Sequence, residues 1–272
     1  MKLRWLTTLI LANAVFTASV NASSGNTAGI DRSALREVLQ TTGITPQVQL
    51  LEELVLQSAT TNSHRCGTKP PSPTIPSFSA ESIIFDTLNG FQRADTLNVS
   101  ELQRWFSSPL ADKIHQAEQT SIDREQFINS LPAIKQDERR LQSIKNIISN
   151  TKTIEFIVTL GTEIEYAGIL HSGCIAKAEL LSSGSKNPER LLAEATRSDK
   201  ELTGVLIGTE ITFELAYLLR GLSDDELKRY ESFTASDNAQ QFYPRLIESV
   251  EKSFGLASDR ITLQESYSAI DF

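Results

Sequence analysis

The chain has 272 residues, 40% of them hydrophobic and 22% charged, a composition that suits one large or two modest folded cores. Its formal charge is −8. An acidic chain without a concentrated Lys/Arg stripe is a poor partner for nucleic acid or for an anionic lipid surface.

The first stretch reads as a targeting segment. Met1-Lys2-Leu3-Arg4 is short and basic, Leu6–Ala18 is apolar, and Val20-Asn21-Ala22 is a small-residue cleavage site. This is the pattern of a secretory signal peptide over residues 1–22, with cleavage expected after Ala22. The apolar run is short for a membrane span and no stop-transfer charge cluster follows it. The expectation is a periplasmic or secreted protein with no transmembrane anchor after cleavage. Losing Lys2 and Arg4 makes the charge −10.

Helical periodicity then dominates. Asp31 or Ser33 caps a helix to about Thr42, and Gly43 stops it. Thr45-Pro46 starts another, with Leu50, Leu51, Leu54, Val55 and Ser58 along one face. Ser63–Ser77 holds Pro70, Pro71, Pro73 and Pro76 and predicts no regular element. Helix resumes near Ser79 and ends near Gly90. Ile122–Leu131 and Pro132–Ile148 are two further helical stretches, the second charged on one side through Lys135, Asp137, Glu138, Arg139 and Arg140.

Ile154 to about Leu181 predicts a long helix. Its glycines Gly161, Gly168 and Gly173 imply close packing or a local break. Ser182–Lys186 is a linker, and Asn187-Pro188-Glu189 restarts a helix that runs to Arg220 and stops at Gly221. These two helices are expected to form a central antiparallel hairpin. Leu202–Leu219 carries Glu210 and Glu214, and Ile154–Ala176 carries Glu155, Glu163, Glu165 and His171, so both read as buried helices rather than spans. A last apolar stripe, Phe242, Leu246, Ile247, Val250 and Phe254, belongs to a helix over Ala239–Leu256, with Thr262–Phe272 as a tail. No strand run is visible. The class is all-α, a helical bundle of stacked hairpins. Its N-terminal half is 23–150 and its C-terminal half 151–272, the two sharing one core.

One device is written twice. In Leu97–Ile114, Asn98 caps a helix, Glu101 is placed to reach back to it, and Leu97 and Leu102 form a hydrophobic staple. Trp105 follows, and Ser108-Pro109 ends that helix and starts the next. From Leu222, Ser223 and Glu226 make a capping box within the Leu222/Leu227 staple, Tyr230 stands where Trp105 stood, and Ser236 caps the next helix. The first helix of this second joint is about one turn longer. Small Ala111 and Ala239 follow the two breaks and allow close helix approach. The pairing predicts two divergent copies of one helix-turn-helix joint.

Glu101-Leu102, Trp105-Phe106, Ser108-Pro109-Leu110-Ala111 and Ile114 resemble the joint of an exported bacterial all-helical domain family of unknown function. Glu226-Leu227, Phe233, Ser236 and Ala239 resemble it again, without the proline. That family's joint favours Gly where Ala111 and Ala239 stand. The resemblance implies a bacterial, periplasmic, all-helical protein and brings no catalytic residues.

Candidate chemistry is sparse. Cys66 and Cys174 are the only cysteines, and in an exported chain such a pair reads as a disulfide. His64 and His171 lie near them, so a Cys2His2 metal or redox centre is the rival reading. Glu210 and Glu214 are one turn apart on a helix and could serve a hydrolase, although such pairs are usually solvated or ion-paired. No nucleophile elbow, phosphate loop or dinucleotide fingerprint is present. The expectation is a non-enzymatic binding or envelope-support protein, without cofactor, metal or nucleic acid, whose partner is a protein or small molecule.

Overall fold

The computed structural model describes residues 31–42, 44–91, 97–174 and 207–268. The expected leader 1–22, the stop at Gly43, the linker Ser182–Lys186 and the restart at Asn187-Pro188 lie outside the described residues. So do residues 175–181 and 188–206 of the expected central hairpin. Among the described residues every regular element is helical, so the class is all-α, a helical bundle.

The helices, in order, are α1 (Arg32–Thr41), α2 (Ile44–Cys66), α3 (Ala80–Gly90), α4 (Val99–Phe106), α5 (Pro109–Gln119), α6 (Arg124–Gln136), α7 (Glu138–Asn150) and α8 (Thr153–His171). After the undescribed stretch come α9 (207–218), α10 (Asp224–Thr234) and α11 (Asp237–Ser268). Short 3-10 turns lie at Pro76–Phe78 and Leu219–Gly221. Among the described residues, no helix is long and apolar enough to cross a membrane.

The chain divides into two compact units, each drawn from three stretches. The first contains the stretch ending at Gln47, Gly90–Ile154 and Ile207–Leu246; the second contains Val48–Asn89, the stretch from Glu155 to Leu206, and the chain from Ile247 onward.

In the first unit, α1 packs on α4 and α7 on α10. Leu35, Val38, Leu39 and Leu102 are buried, as are Ile144, Ile147 and Ile148. Asp31 caps α1, accepting from the N–H groups of Ser33 and Ala34 at 2.9 and 3.3 Å. Pro132 stands inside α6 instead of starting a helix, and the break falls at Asp137, whose carboxylate accepts from the Arg140 N–H at 3.0 Å. An interior proline removes only one donor, whereas Asp137 supplies a cap. Arg140 is not part of a solvated charged face. Its guanidinium donates to the carbonyls of Leu219 and Leu222 at 2.6 and 2.9 Å, clasping the turn that joins α9 to α10.

In the second unit, Cys66 and Cys174 form a disulfide, with Cα atoms 5.7 Å apart and a sequence separation of 108. The long helix expected over Ile154–Leu181 ends at His171, and Gly173 lies beyond it at φ +69°. That left-handed conformation favours glycine, so this glycine marks the local break. Gly168 is the close approach: a Cβ built there would stand 2.3 Å from Ser58 Oγ and 2.4 Å from Ser58 Cβ. On α11, Val250 and Phe254 are buried, and the Thr87 and Ser253 hydroxyls meet at 3.1 Å. The helix continues to Ser268, past the tail boundary that Thr262 suggests.

Two outcomes test this packing. Gly168→Ala should destabilise the second unit by about 2 kcal/mol in urea unfolding, and adding Ser58→Gly should recover part of that loss. Reducing the disulfide should lower its stability by roughly 4–5 kcal/mol, the chain-entropy value for a loop of about a hundred residues, read from unfolding with and without reductant.

Candidate functional site

The two joints meet in the first unit. In α4, Asn98 Oδ1 accepts from the Glu101 N–H at 3.1 Å; in α10, Ser223 and Glu226 complete the capping box, at 3.3 Å from the Glu226 N–H to Ser223 Oγ and 2.8 Å in return. Ser108 and Ser236 cap the second helix of each joint, accepting from Ala111 and Ala239 at 3.2 and 3.3 Å. Pro109 is the first residue of α5. Glu101 is placed in the first turn of α4, where the helix dipole favours its charge.

The return bond to the first cap comes from elsewhere. The Asn98 N–H donates to Asn238 Oδ1, and the Asn238 side-chain N–H donates to the Asn98 carbonyl, both at 2.9 Å. One buried amide from the second joint therefore satisfies both backbone groups at the entrance of the first. Lys113 adds a salt bridge from α5 to Glu226, 2.8 Å long, and with the Ser223 N–H it holds the Glu226 carboxyl down at about 2.

This registration brings the aromatics together. Trp105 stacks on Phe233 with centroids 4.1 Å apart and 9° between planes, and lies 6.3 Å from Tyr230. Phe106 meets Phe233 edge-on at 5.6 Å and Phe242 at 6.0 Å. Such contacts add about 0.5–1.5 kcal/mol each beyond area burial. Trp105 and Phe233 are only half-buried. They line an open groove with Asp225, Lys228, Arg229 and Ser232. The four polar residues fall at i, i+3, i+4 and i+7 on α10, one helical stripe. A half-exposed aromatic pair beside two exposed cations and one carboxylate can receive a ring-bearing ligand and hold its acceptor atoms.

Tyr230, which also meets Trp105, shares a proton site with half-buried Glu118. The Tyr230 hydroxyl donates to Glu118 Oε1 at 3.5 Å. Burial pushes the Glu118 carboxyl up to about 7, against the Tyr230 hydrogen bond that favours its charged form. Burial, then Glu118 and Tyr243, hold the Tyr230 hydroxyl well above its ordinary range, and burial does the same to Tyr243. His115, on the same helix as Glu118, is lowered by burial, with Asp112 opposing.

The remaining candidates lie apart from the groove. With both sulfurs in the disulfide, neither Cys66 nor Cys174 is a thiolate ligand. His171 Nε2 donates to the Ser72 carbonyl at 3.3 Å, and His64 is exposed. Among the described residues, no cluster of three His, Cys, Asp or Glu is placed to hold a metal ion. Glu210 and Glu214 both face Arg124, at 3.9 and 3.6 Å, the ion-paired role usual for helix carboxylates. Periodicity alone could not find Asn238 or the stripe from Asp225 to Ser232, because exposed polar residues on a capped helix carry no distinguishing pattern.

The Glu118 site sets a pH dependence. Its folded value lies above the ordinary 4.5, so its contribution is complete below about 4.5 and is lost as pH rises through 7. His115 acts oppositely, since a lowered value contributes above 6.5 and is lost as pH falls. Between pH 5 and 8 the wild type should therefore lose about 1–3 kcal/mol relative to Glu118→Gln in urea unfolding, which isolates the carboxyl from the histidine.

Compared with protein-family models, with curated proteins and with solved structures, the chain finds no match.

Proposed function

We propose that this is an exported, non-enzymatic binding protein of the bacterial cell envelope, and that its ligand sits on the groove between the paired joints. The observation that carries the reading is the half-exposed Trp105–Phe233 stack, edged by Lys228 and Arg229. Exposed aromatics and arginine are the residues that dominate recognition surfaces. Export is supported by the basic, apolar and small-residue order of Met1–Ala22 and by the Cys66–Cys174 disulfide, a bond that persists in oxidising compartments. The repeated joint then has a mechanical role: two capped corners hold each other, and their aromatics form the groove wall. The resemblance to exported helical domains agrees with this reading.

A photo-crosslinking residue at Ser232, in the groove, tests it in the native envelope, with the exposed Arg139 as a control site. Crosslinking should yield a discrete adduct from position 232 and none from position 139, and Trp105→Ala should remove it. N-terminal sequencing of the mature protein should begin at Ser23. The absence of any adduct at position 232 would sink the binding role, and a retained leader would sink export.

A further inference from the structure

The proline-rich stretch after α2 is not a slack connection. It is pinned four times within the second unit. The Cys66–Cys174 disulfide holds its start. The Thr68 hydroxyl donates to the Ser172 carbonyl at 2.7 Å. His171 Nε2 donates to the Ser72 carbonyl at 3.3 Å. The Ile75 N–H donates to Glu52 Oε1 at 3.1 Å, and the Ile75 side chain is 2% exposed.

Its own covalent chemistry restricts it further. Proline fixes φ, and a residue preceding proline is pushed to extended conformations. From Lys69 to Pro76, only Thr74 is neither a proline nor the neighbour before one. The result is a backbone of restricted freedom without regular structure, bent at Pro73 and entering a 3-10 turn at Pro76, that leaves Lys69, Pro70, Ser72, Pro73, Thr74 and Pro76 exposed.

An exposed proline segment of restricted freedom is the ligand half of a familiar recognition chemistry. Proline rings dock in aromatic-lined grooves, backbone without an internal ladder leaves its carbonyls open, and little entropy is lost on docking. The groove at the joints is the complementary half. Trp105 stacked on Phe233 supplies the aromatic lining, Lys228 and Arg229 supply donors for carbonyls, and Asp225 supplies a carboxylate for Lys69.

We propose that the Lys69–Pro76 segment of one copy docks on the Trp105–Phe233 groove of a second copy, so that the protein self-associates head to tail. The proposal rests on the groove being a binding surface, and it names the occupant. A contact between two different patches adds copies one after another until the rotation between them closes a ring.

Three measurements on the full chain decide it. With Trp5→Phe, Trp105 is the sole tryptophan, and a synthetic peptide of residues 68–76 should change its fluorescence saturably at concentrations up to about 1 mM. In sedimentation, the wild type should grow in mass with concentration. Trp105→Ala, which keeps the segment, and Pro70→Ala/Pro73→Ala, which keeps the groove, should each stay monomeric. Mixed together, those two variants should form a one-to-one complex that grows no further, a result that misfolding of either would not produce. A monomeric wild type at all concentrations, or a peptide that leaves the fluorescence unchanged, would overturn the self-association. If the crosslink from position 232 then carried an envelope component other than a second copy, the groove would stand as a binding site and only its assigned occupant would fall.

Discussion

The first unit depends on one buried side chain. The Asn238 amide pairs with both the N–H and the carbonyl of Asn98, and so locks the start of the second joint's long helix onto the entrance of the first. A buried amide that finds both a donor and an acceptor contributes twice; with either partner missing it would cost the desolvation of the orphaned group. The lock also sets register. With Asn238 on Asn98, Trp105 lies over Phe233, and the Lys113–Glu226 bridge falls into reach. The groove is thus a by-product of how two helix corners satisfy their backbone groups.

The second unit solves a different problem. Its small residues let helices approach: Gly168 leaves space for Ser58, and hydroxyls rather than large side chains meet at Thr87 and Ser253. The segment that leaves α2 is secured by a covalent bond and three polar contacts instead of by its own secondary structure. Proline removes backbone donors, so such a stretch cannot join a helix or ladder and must be held from outside. That need explains the pairing of the disulfide with the bonds from Thr68, His171 and Glu52.

Local chemistry was legible where a residue acts on its own neighbours. Asp31, Asn98, Ser108, Ser223 and Ser236 cap the helices that their positions predict, and the one-turn difference between α4 and α10 follows from spacing alone. Sequence and fold part where two local rules compete. Pro132 reads as a start, yet α6 absorbs it and breaks at Asp137. They part again where a polar residue serves a distant partner. Arg140 reads as one charge among several on a solvated side, and only the folded chain brings the carbonyls of Leu219 and Leu222 to its guanidinium.

By itself the amino-acid sequence determined the helical class, the caps at Asp31, Asn98, Ser108, Ser223 and Ser236, and the irregular proline stretch between Cys66 and Pro76, because each of these follows from short-range sterics and hydrogen bonding; that Cys66 and Cys174 pair with each other, and not with His64 and His171 around a metal, was decided by the fold. Tertiary structure alone decided which surfaces face one another: that Asn238 rather than Glu101 completes the Asn98 cap, that Trp105 and Phe233 stack as a half-exposed pair, and that half-buried Glu118 meets Tyr230. Those pairings join residues about 110 to 140 positions apart, and the periodicity of a helix says which face is apolar but not which partner that face will meet.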